Sequence, residues 1–417
     1  MKQQIIKPRW YLRILLHIVA RALILGKKVK IEKINCDNLK WPYILIASHA
    51  SFIDFAMNAV VTFPHNTNYI TSIEEFIGRE WLMKGIGCFP KRKFTKDGNI
   101  VENVLTCLKD NKNTVTIYPE ARYSIIGCNE KIDKSMGKLA KVSKVPVVIM
   151  LTHGDFLHQP QWDKKHKRIN KFEVTLKCIV DEDEIKTLSA LEIQKRIENE
   201  FKYDDYKWQY DNKIICKSKY RANNLHRVLY KCPHCGCDYT MQSKLDRIWC
   251  TKCNVSYKVN QYQRLECEND VAKFVHIPDW YNWEREEVRK EIENGEYNFI
   301  DRVRIERLDN LKKGFESIGY VTFKHDLDGI HLYGTLDNNE EFEFNNAPIN
   351  TPSIHIEYDF KKKGTVKKGQ AIDINDIENT WFIYPQTDKC VLTKIHLAVE
   401  ELYDIEASKR KGRRIYE

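Results

Sequence analysis

The sequence predicts an α/β protein: a mostly parallel sheet domain preceded by an amphipathic N-terminal helix, then a cysteine-rich module and a small antiparallel β domain closed by a C-terminal helix. Three observations predict this architecture. Apolar strand-like runs alternate with helical patterns between about residues 31 and 205. Two C-x2-C pairs follow. From about residue 318, period-two alternation is interrupted by the turns "DLDG" and "LDNN".

Composition places the chain among multidomain globular or membrane-peripheral proteins. It has 417 residues, enough for two or three domains, and 42% of them are hydrophobic. The formal charge of +10 is concentrated at one end, because residues 1–33 contain nine Lys or Arg and one Glu. We therefore expect a local basic segment rather than a uniformly basic protein.

Residues 1–30 carry the pattern of a helix that lies in a membrane interface. In "WYLRILLHIVARALILG", Arg13, His17 and Arg21 form one polar stripe, and most other positions are apolar. About 16 apolar-rich residues would span roughly 24 Å as a helix, less than the ~30 Å of membrane hydrocarbon. Two alternatives stay open: an amphipathic helix packed in a core, and a cleaved signal or true membrane span.

The sheet domain, predicted over 31–205, follows from five strand-like runs and four helical patterns. The helices are expected at 74–86, 98–110, 135–143 and 189–202. The runs are "YILIA", "NYITS", "TVTIYPE", "VPVVIML" and "FEVTLKCIV". Short apolar runs of this kind are typical of buried strands in a largely parallel sheet.

The stretch "SHASFIDF" places His49 and Asp54 where the first of these strands ends. His49 is expected in the strand-to-helix turn and Asp54 in the first helical turn, so the carboxylate can fold back onto the imidazole. A neutral His whose one ring nitrogen is held by a carboxylate can accept a proton on the other. The pair is a candidate general base for a hydroxyl. Taken alone, a capping Asp beside an unrelated surface His is an equally good interpretation.

Three more motifs follow in order. "GIGCFPKRKF" presents Lys91 and Arg92, "TIYPEARYS" presents Glu120 and Arg122, and "KVPVVIM" is a further buried strand. Together with H-x4-D, this order resembles the four motifs of the 1-acylglycerol-3-phosphate (lysophosphatidate) acyltransferase family, over roughly residues 30–205.

The resemblance implies a reaction and a set of roles. His49 would deprotonate the free hydroxyl of 1-acylglycerol 3-phosphate and Asp54 would orient it, so that the alkoxide attacks a thioester of coenzyme A or acyl carrier protein to give phosphatidate. Arg92, with Lys91, would bind the acceptor's phosphate, since a guanidinium matches phosphate oxygens. Glu120 and Arg122 would complete acceptor binding. Glycerol 3-phosphate or another lysolipid is the alternative acceptor.

Two positions depart from the family pattern. The third motif commonly reads Glu-Gly-Thr-Arg-Ser, whereas here Ala121 replaces the Gly and Arg122 comes two residues after Glu120. The fourth motif often has a second Pro where this chain has Ile149. Neither change removes a proton-transfer group.

The cysteine-rich module is predicted to be a structural zinc ribbon. Cys232, Cys235, Cys250 and Cys253 form two C-x2-C pairs separated by fourteen residues, a spacing that lets two knuckles present four thiolates tetrahedrally. Cys237 and His234 lie close enough in sequence to replace a ligand. A closed four-thiolate site leaves no position for substrate, so its role would be to hold this part of the chain folded.

The remaining domain boundaries follow composition. Residues 206–228 are predicted to be a connector, 229–258 the ribbon, 259–315 a helical linker region, and 316–417 a β-rich domain that resembles the pleckstrin-homology-like architecture. That resemblance concerns fold only.

Together these features predict a peripheral enzyme on the cytoplasmic face of the cell membrane, with membrane lipids, a lysophospholipid acceptor and an acyl donor as partners. Thirteen cysteines without a secretory signal favour a reducing compartment. The rival hypothesis is a catalytically inactive zinc-ribbon binding or scaffold protein. Nucleic-acid binding is not expected, because basic residues near the ribbon are scattered and balanced by Asp.

Overall fold

The computed structural model describes residues 7–95, 97–360 and 369–416. The chain divides into two compact units. The first comprises Met1–Lys91 and Lys96–Ser218, and the second comprises Arg92–Thr95 and Lys219–Glu417.

The first unit is built on a seven-stranded sheet with the order β1-β7-β6-β2-β5-β3-β4. Every neighbouring pair is parallel except β6 and β7, which are antiparallel. The strands are β1 (Lys28–Ile34), β2 (Ile44–Ala47), β3 (Thr67–Ser72), β4 (Cys88–Lys91), β5 (Thr114–Ile117), β6 (Val147–His153) and β7 (Lys171–Val180).

Nine α-helices of the described residues belong to this unit, and α4 continues as a π-helical turn over Thr106–Asp110. They are α1 (Trp10–Ile24), α2 (Phe52–Thr62), α3 (Glu80–Gly85), α4 (Asn99–Leu105), α5 (Met136–Ser143), α6 (Asp155–His158), α7 (Glu184–Thr187), α8 (Ala190–Glu200) and α9 (Asp205–Asp211).

The central strand β2 shows why its sequence is apolar at every position. Ile44 and Ile46 enter one core, and Leu45 and Ala47 enter the other, so both faces of the sheet are covered. Continuous rather than alternating hydrophobicity is typical of parallel strands buried on both sides. The carboxyl end of β2 is therefore held rigidly where His49 follows.

Helix α1 turns part of its apolar surface outward. A stripe of small or branched residues packs on α2, with Ala20 buried against Ala56 and Val60. The polar residue His17 is only half exposed and stacks on Phe63 with ring centroids 4.0 Å apart. In contrast, the large apolar side chains on the other face are exposed: Trp10 69%, Tyr11 46%, Leu15 51%, Ile18 59% and Val19 46%. Among the described helices, none is both long and apolar enough to cross a bilayer.

The second unit combines two antiparallel sheets with two long helices. One sheet has the order β11-β10-β9-β8, and the other β15-β14-β13-β12-β18-β17-β16. The elements are β8 (Met241–Lys244), β9 (Arg247–Cys250), β10 (Ser256–Val259), β11 (Leu265–Cys267), α10 (Ile277–Glu293), β12 (Phe299–Asn310), β13 (Gly314–Asp326), β14 (Gly329–Thr335), β15 (Glu341–Asn346), β16 (His355–Phe360), β17 (Gly369–Asn375), β18 (Thr380–Pro385) and α11 (Leu392–Tyr416).

The predicted fold class is confirmed, whereas several element boundaries differ. The β-rich sheet begins at Phe299 rather than near 316, inside the expected helical linker region. The segment expected as one helix over 74–86 is a 3-10 turn followed by α3. Helix α9 begins at the last residue of the predicted sheet domain and continues into the segment expected as a connector. Strand β1 was not predicted, because its Lys and Glu side chains hide the strand period at an exposed sheet edge.

Candidate active site

Asp54 is fixed by the first turn of α2. Ser51 is the N-cap: its hydroxyl accepts a hydrogen bond from Ile53 N at 3.2 Å, and its own amide donates to Asp54 Oδ2 at 2.9 Å. This reciprocal pattern is a capping box. The Ala50 amide also donates to the same oxygen, at 2.6 Å. The local sequence thus directs the Asp54 carboxylate back over the preceding turn, where His49 lies.

His49 sits between two aromatic rings and beside Asp54. Its ring centroid lies 4.2 Å from that of Tyr118 and 4.1 Å from that of Tyr123. Nδ1 is 3.3 Å from Asp54 Oδ2, a close polar approach whose angle is not that of an aligned hydrogen bond. The side chain is 19% exposed, so solvent or a ligand can reach it. Such contacts often tighten only when substrate binds.

The turn after β5 is tied to this histidine. The Ser124 amide donates to the His49 carbonyl at 2.7 Å. Ser48, on the other side, accepts from the Thr152 amide at 3.0 Å through its hydroxyl. These bonds connect the carboxyl-end region of three neighbouring parallel strands, β5, β2 and β6, which is where α/β folds place their binding sites.

Glu120 is buried, and two hydrogen-bond donors contact its carboxyl group. The Glu130 amide donates to Oε1 at 3.0 Å, and the Tyr203 hydroxyl lies 2.9 Å from Oε1 and 3.1 Å from Oε2. Burial, followed by the charge of Glu130, raises the pKa of Glu120 to about 8, although these donors and Arg122 favour the charged form. Glu120 is therefore mainly the neutral acid at pH 7.

Arg122 is also buried and forms an ion pair with Glu130. Between Glu120 and Arg122, Ala121 adopts a left-handed conformation with φ of 55°. This conformation favours glycine, because a Cβ atom there is crowded by the backbone. Ala121 therefore stands at a position whose geometry suits the Gly of the family motif.

Lys91 is the last residue of β4 and Arg92 comes directly after it, but the two residues belong to different units. Lys91 ends β4 in the first unit and is half-buried; desolvation lowers its pKa, while Asp133 and Asp97 oppose that change. Arg92 is grouped with the second unit, and its Nη1 donates to the Ile377 carbonyl at 3.1 Å. The phosphate-binding role of both residues stays a prediction from the motif.

Three tyrosines around these residues were not singled out from the sequence. Tyr118 and Tyr123 flank the "PEAR" motif and enclose His49, and Tyr203 reaches Glu120 from the segment before α9. For Tyr118 and Tyr123, the sequence signal was their position directly next to the motif. No sequence pattern links Tyr203 to Glu120.

In the second unit, the four cysteines of the predicted ribbon come together. Their sulfur atoms lie within 4.8 Å of one another, with Cys232 to Cys253 at 3.6 Å and Cys235 to Cys250 at 3.8 Å. Four sulfurs on a tetrahedron around zinc, at about 2.3 Å each, would be ~3.8 Å apart. The cluster can therefore hold a metal ion of that size.

The two possible substitute ligands are engaged elsewhere. Cys237 Sγ accepts from Lys252 Nζ at 2.9 Å. His234 Nε2 is 2.8 Å from the Tyr257 hydroxyl, and its Nδ1 is 3.1 Å from Asp270. The structure thus favours the four-cysteine set.

Comparison with known proteins gives a match to one family model. The Acyltransferase family model matches residues 28–150. A search of curated proteins gave no significant match. Among solved structures, the chain resembles the 1-acyl-sn-glycerophosphate (LPA) acyltransferase PlsC from Thermotoga maritima at 18% identity and a TM-score of 0.38, over 46% of this chain and 77% of that chain. The likeness to the Acyltransferase family therefore rests on the family model alone and concerns residues 28–150, the segment that contains His49, Asp54, Glu120 and Arg122.

Proposed function

We propose that the chain is an O-acyltransferase of glycerolipid synthesis. It transfers a fatty acyl group from a thioester donor to the free hydroxyl of 1-acylglycerol 3-phosphate, giving phosphatidate and a free thiol. The observation that carries this proposal is the His49 ring held between Tyr118 and Tyr123, with Nδ1 3.3 Å from Asp54, inside the Acyltransferase domain.

Proton transfer is the role of His49. With Nδ1 facing Asp54, the other ring nitrogen, Nε2, takes the proton of the acceptor hydroxyl as its oxygen bonds to the thioester carbonyl carbon. The carbon–sulfur bond then breaks, and the imidazolium returns the proton to the departing thiolate. The Asp54 carboxylate stabilises the imidazolium between these two steps. No acyl-enzyme is needed.

The basic and acidic residues of the other motifs bind the acceptor. Arg122 already pairs with Glu130, so an acceptor phosphate would exchange one anionic partner for another without leaving the guanidinium unpaired. Glu120, as a neutral acid at pH 7, can donate to or accept from a glycerol hydroxyl. Lys91 and Arg92 remain the candidates for additional phosphate contacts.

The exposed apolar face of α1 supports binding to an anionic lipid surface. Trp10, Leu15 and Ile18 present large side chains outward, and the segment before β2 is rich in Lys and Arg. Apolar burial and attraction to anionic headgroups act together at such an interface. No disulfide joins any of the thirteen cysteines, all of which lie in the described residues, and this is compatible with the cytoplasmic face of the membrane.

The test is a transfer assay with labelled acyl-coenzyme A and acyl carrier protein as donors. The acceptors are 1-acylglycerol 3-phosphate, glycerol 3-phosphate and lysophosphatidylcholine. We expect activity on the first acceptor that His49→Ala abolishes and Asp54→Asn strongly reduces. His65→Ala, a change at an exposed histidine of the same unit, is the matched control and should retain activity.

The other outcomes would change the acceptor, the role of His49 or the proposed activity itself. Activity on glycerol 3-phosphate or lysophosphatidylcholine alone would replace the acceptor and keep the chemistry. Full activity in His49→Ala would refute the general-base role. No transfer by folded, zinc-loaded protein with any donor would favour an inactive binding or scaffold protein.

A further inference from the structure

Three buried aspartates from three different helices interact electrostatically in the interior of the first unit. Asp54 lies in the first turn of α2, Asp155 begins α6 and Asp205 begins α9. All three are completely buried. The sequence pattern indicates only Asp54, because the other two belong to short helices far along the chain.

Two of the three carboxylates have conventional partners. Asp54 Oδ2 accepts from the Ala50 and Ser51 amides and faces His49. Asp205 Oδ2 accepts from the Gly154 amide at 3.0 Å, and its Oδ1 lies 3.2 Å from Nδ1 of His153. Asp54 Oδ1, in contrast, is buried and receives no hydrogen bond from an ordinary donor in the described part of the chain.

The Asp155 carboxyl group lies within side-chain hydrogen-bond reach of Asp54, whose Oδ1 is the oxygen that has no other donor among the described residues. Neither of its own carboxyl oxygens receives an aligned hydrogen bond within the described residues. Burial, the charge of Asp54 and a side-chain hydrogen bond with Asp54 raise the pKa of Asp155 well above its usual range, and Asp205 adds to the effect. Only the Phe156 backbone amide acts in the opposite direction. A buried carboxyl group beside another carboxylate favours its neutral form, so Asp155 keeps its proton.

Backbone geometry fixes the position of Asp155. Gly154 has φ of 88°, and a Cβ atom there would lie 2.3 Å from the Lys171 carbonyl oxygen. This tight turn at the end of β6 sends the chain directly from the sheet into α6. Asp155 is thus delivered into the interior by a turn that only glycine fits.

We propose that Asp155 is a positioning residue that, as the neutral acid, donates a hydrogen bond to Asp54 Oδ1 and holds the Asp54 carboxylate against His49. With Asp155 on one oxygen and two backbone amides on the other, Asp54 cannot rotate away. The inference rests on the proposed role of His49, and it adds a positioning residue that lies outside the four motifs and acts through Asp54.

Two variants separate this role from simple packing. Asp155→Asn supplies a neutral donor of the same shape and should retain kcat, whereas Asp155→Ala should lower kcat about tenfold with little change in KM. Nitrogen-15 NMR of the His49 ring, assigned with His49→Ala, should show protonation at Nδ1 in wild type and Asp155→Asn. It should show a mixture of tautomers in Asp155→Ala. Asp37→Ala, at an exposed aspartate, is the control.

A measurement on the wild-type protein needs no folded variant. Infrared spectra of protein labelled with carbon-13 aspartate should show the carbonyl band of a neutral carboxylic acid at pH 7, and Asp155→Asn should remove it. Absence of any neutral aspartate band in wild type would overturn the proposal. So would a His49 tautomer that Asp155→Ala leaves unchanged. Because these spectra need no turnover, a protein inactive on every acceptor would refute the proposed function while the spectra still decide the role of Asp155.

Discussion

The Tyr203 hydroxyl lies within 3.1 Å of both carboxyl oxygens of Glu120, although 83 positions separate the two residues in sequence. Glu120 is buried among Tyr203, Glu130 and Arg122, and its carboxyl group carries a proton at pH values where an exposed glutamate has lost it. The free energy of unfolding of the first unit should therefore depend on pH through the titration of Glu120.

Stability of the first unit should fall as pH rises through this titration. Below pH 4.5 the carboxyl is protonated in both states, so it has no effect; between 4.5 and about 8 the folded state retains a proton that the unfolded state has lost. Above about pH 8 the carboxyl is ionised in both states, so the stability has lost its full contribution from this proton. Glu120→Gln removes this dependence, so the variant should gain on wild type by on the order of a few kcal/mol between pH 5 and 9, measured by urea unfolding.

The control for this experiment is Glu340→Gln, which changes an exposed glutamate. Its difference from wild type should stay constant over the same pH range. A Glu120→Gln difference that is equally constant would mean that Glu120 is ionised in the folded protein at neutral pH.

Ala121→Gly should stabilise the protein. Ala121 has φ of 55°, where a non-glycine residue is strained by roughly 1 kcal/mol or more, and this gain is partly offset by the larger entropy of glycine in the unfolded chain. We expect a net gain of up to about 1 kcal/mol in the free energy of unfolding. Ala140→Gly, in the middle of α5, should lose about 1 kcal/mol or more under the same conditions. Loss of stability in both variants would contradict the strain argument.

The exposed face of α1 should control lipid binding. Replacing Trp10 and Ile18 with Ser removes apolar surface that solvent already contacts, so the melting temperature should change little. Sedimentation with vesicles containing anionic phospholipid should fall strongly, and added salt should weaken wild-type binding further. Val271→Ser, at an equally exposed apolar residue of the second unit, should bind like wild type. Unchanged binding in the Trp10 and Ile18 variant would assign lipid contact to another surface.

The four-cysteine cluster should hold one zinc ion per chain, measured by elemental analysis. Cys232→Ser should lose the metal and destabilise the ribbon, because a structural zinc site contributes directly to folding. Cys237→Ser should retain zinc, since the Cys237 sulfur is not one of the four that lie within 4.8 Å of one another and it accepts a hydrogen bond from Lys252. Equal zinc content in the wild type and Cys232→Ser would exclude the four-thiolate site.

The sequence by itself determined the local features. The apolar run of β2, the capping box that fixes Asp54 beside the His49 turn, and the spacing of the four cysteines each depend on residues close together in the chain. Short-range sterics and hydrogen bonds define such features, so a pattern of neighbouring residues is enough to predict them.

Only the tertiary structure decided which distant residues meet. Nothing in the sequence places Tyr203 on Glu120 or Asp155 beside Asp54, or decides which apolar side chains of α1 pack on α2 and which stay exposed. These contacts join elements separated by many residues, and sheet order and helix packing choose their partners. Burial then sets which carboxyl groups keep a proton, because desolvation acts on the assembled interior and not on the chain.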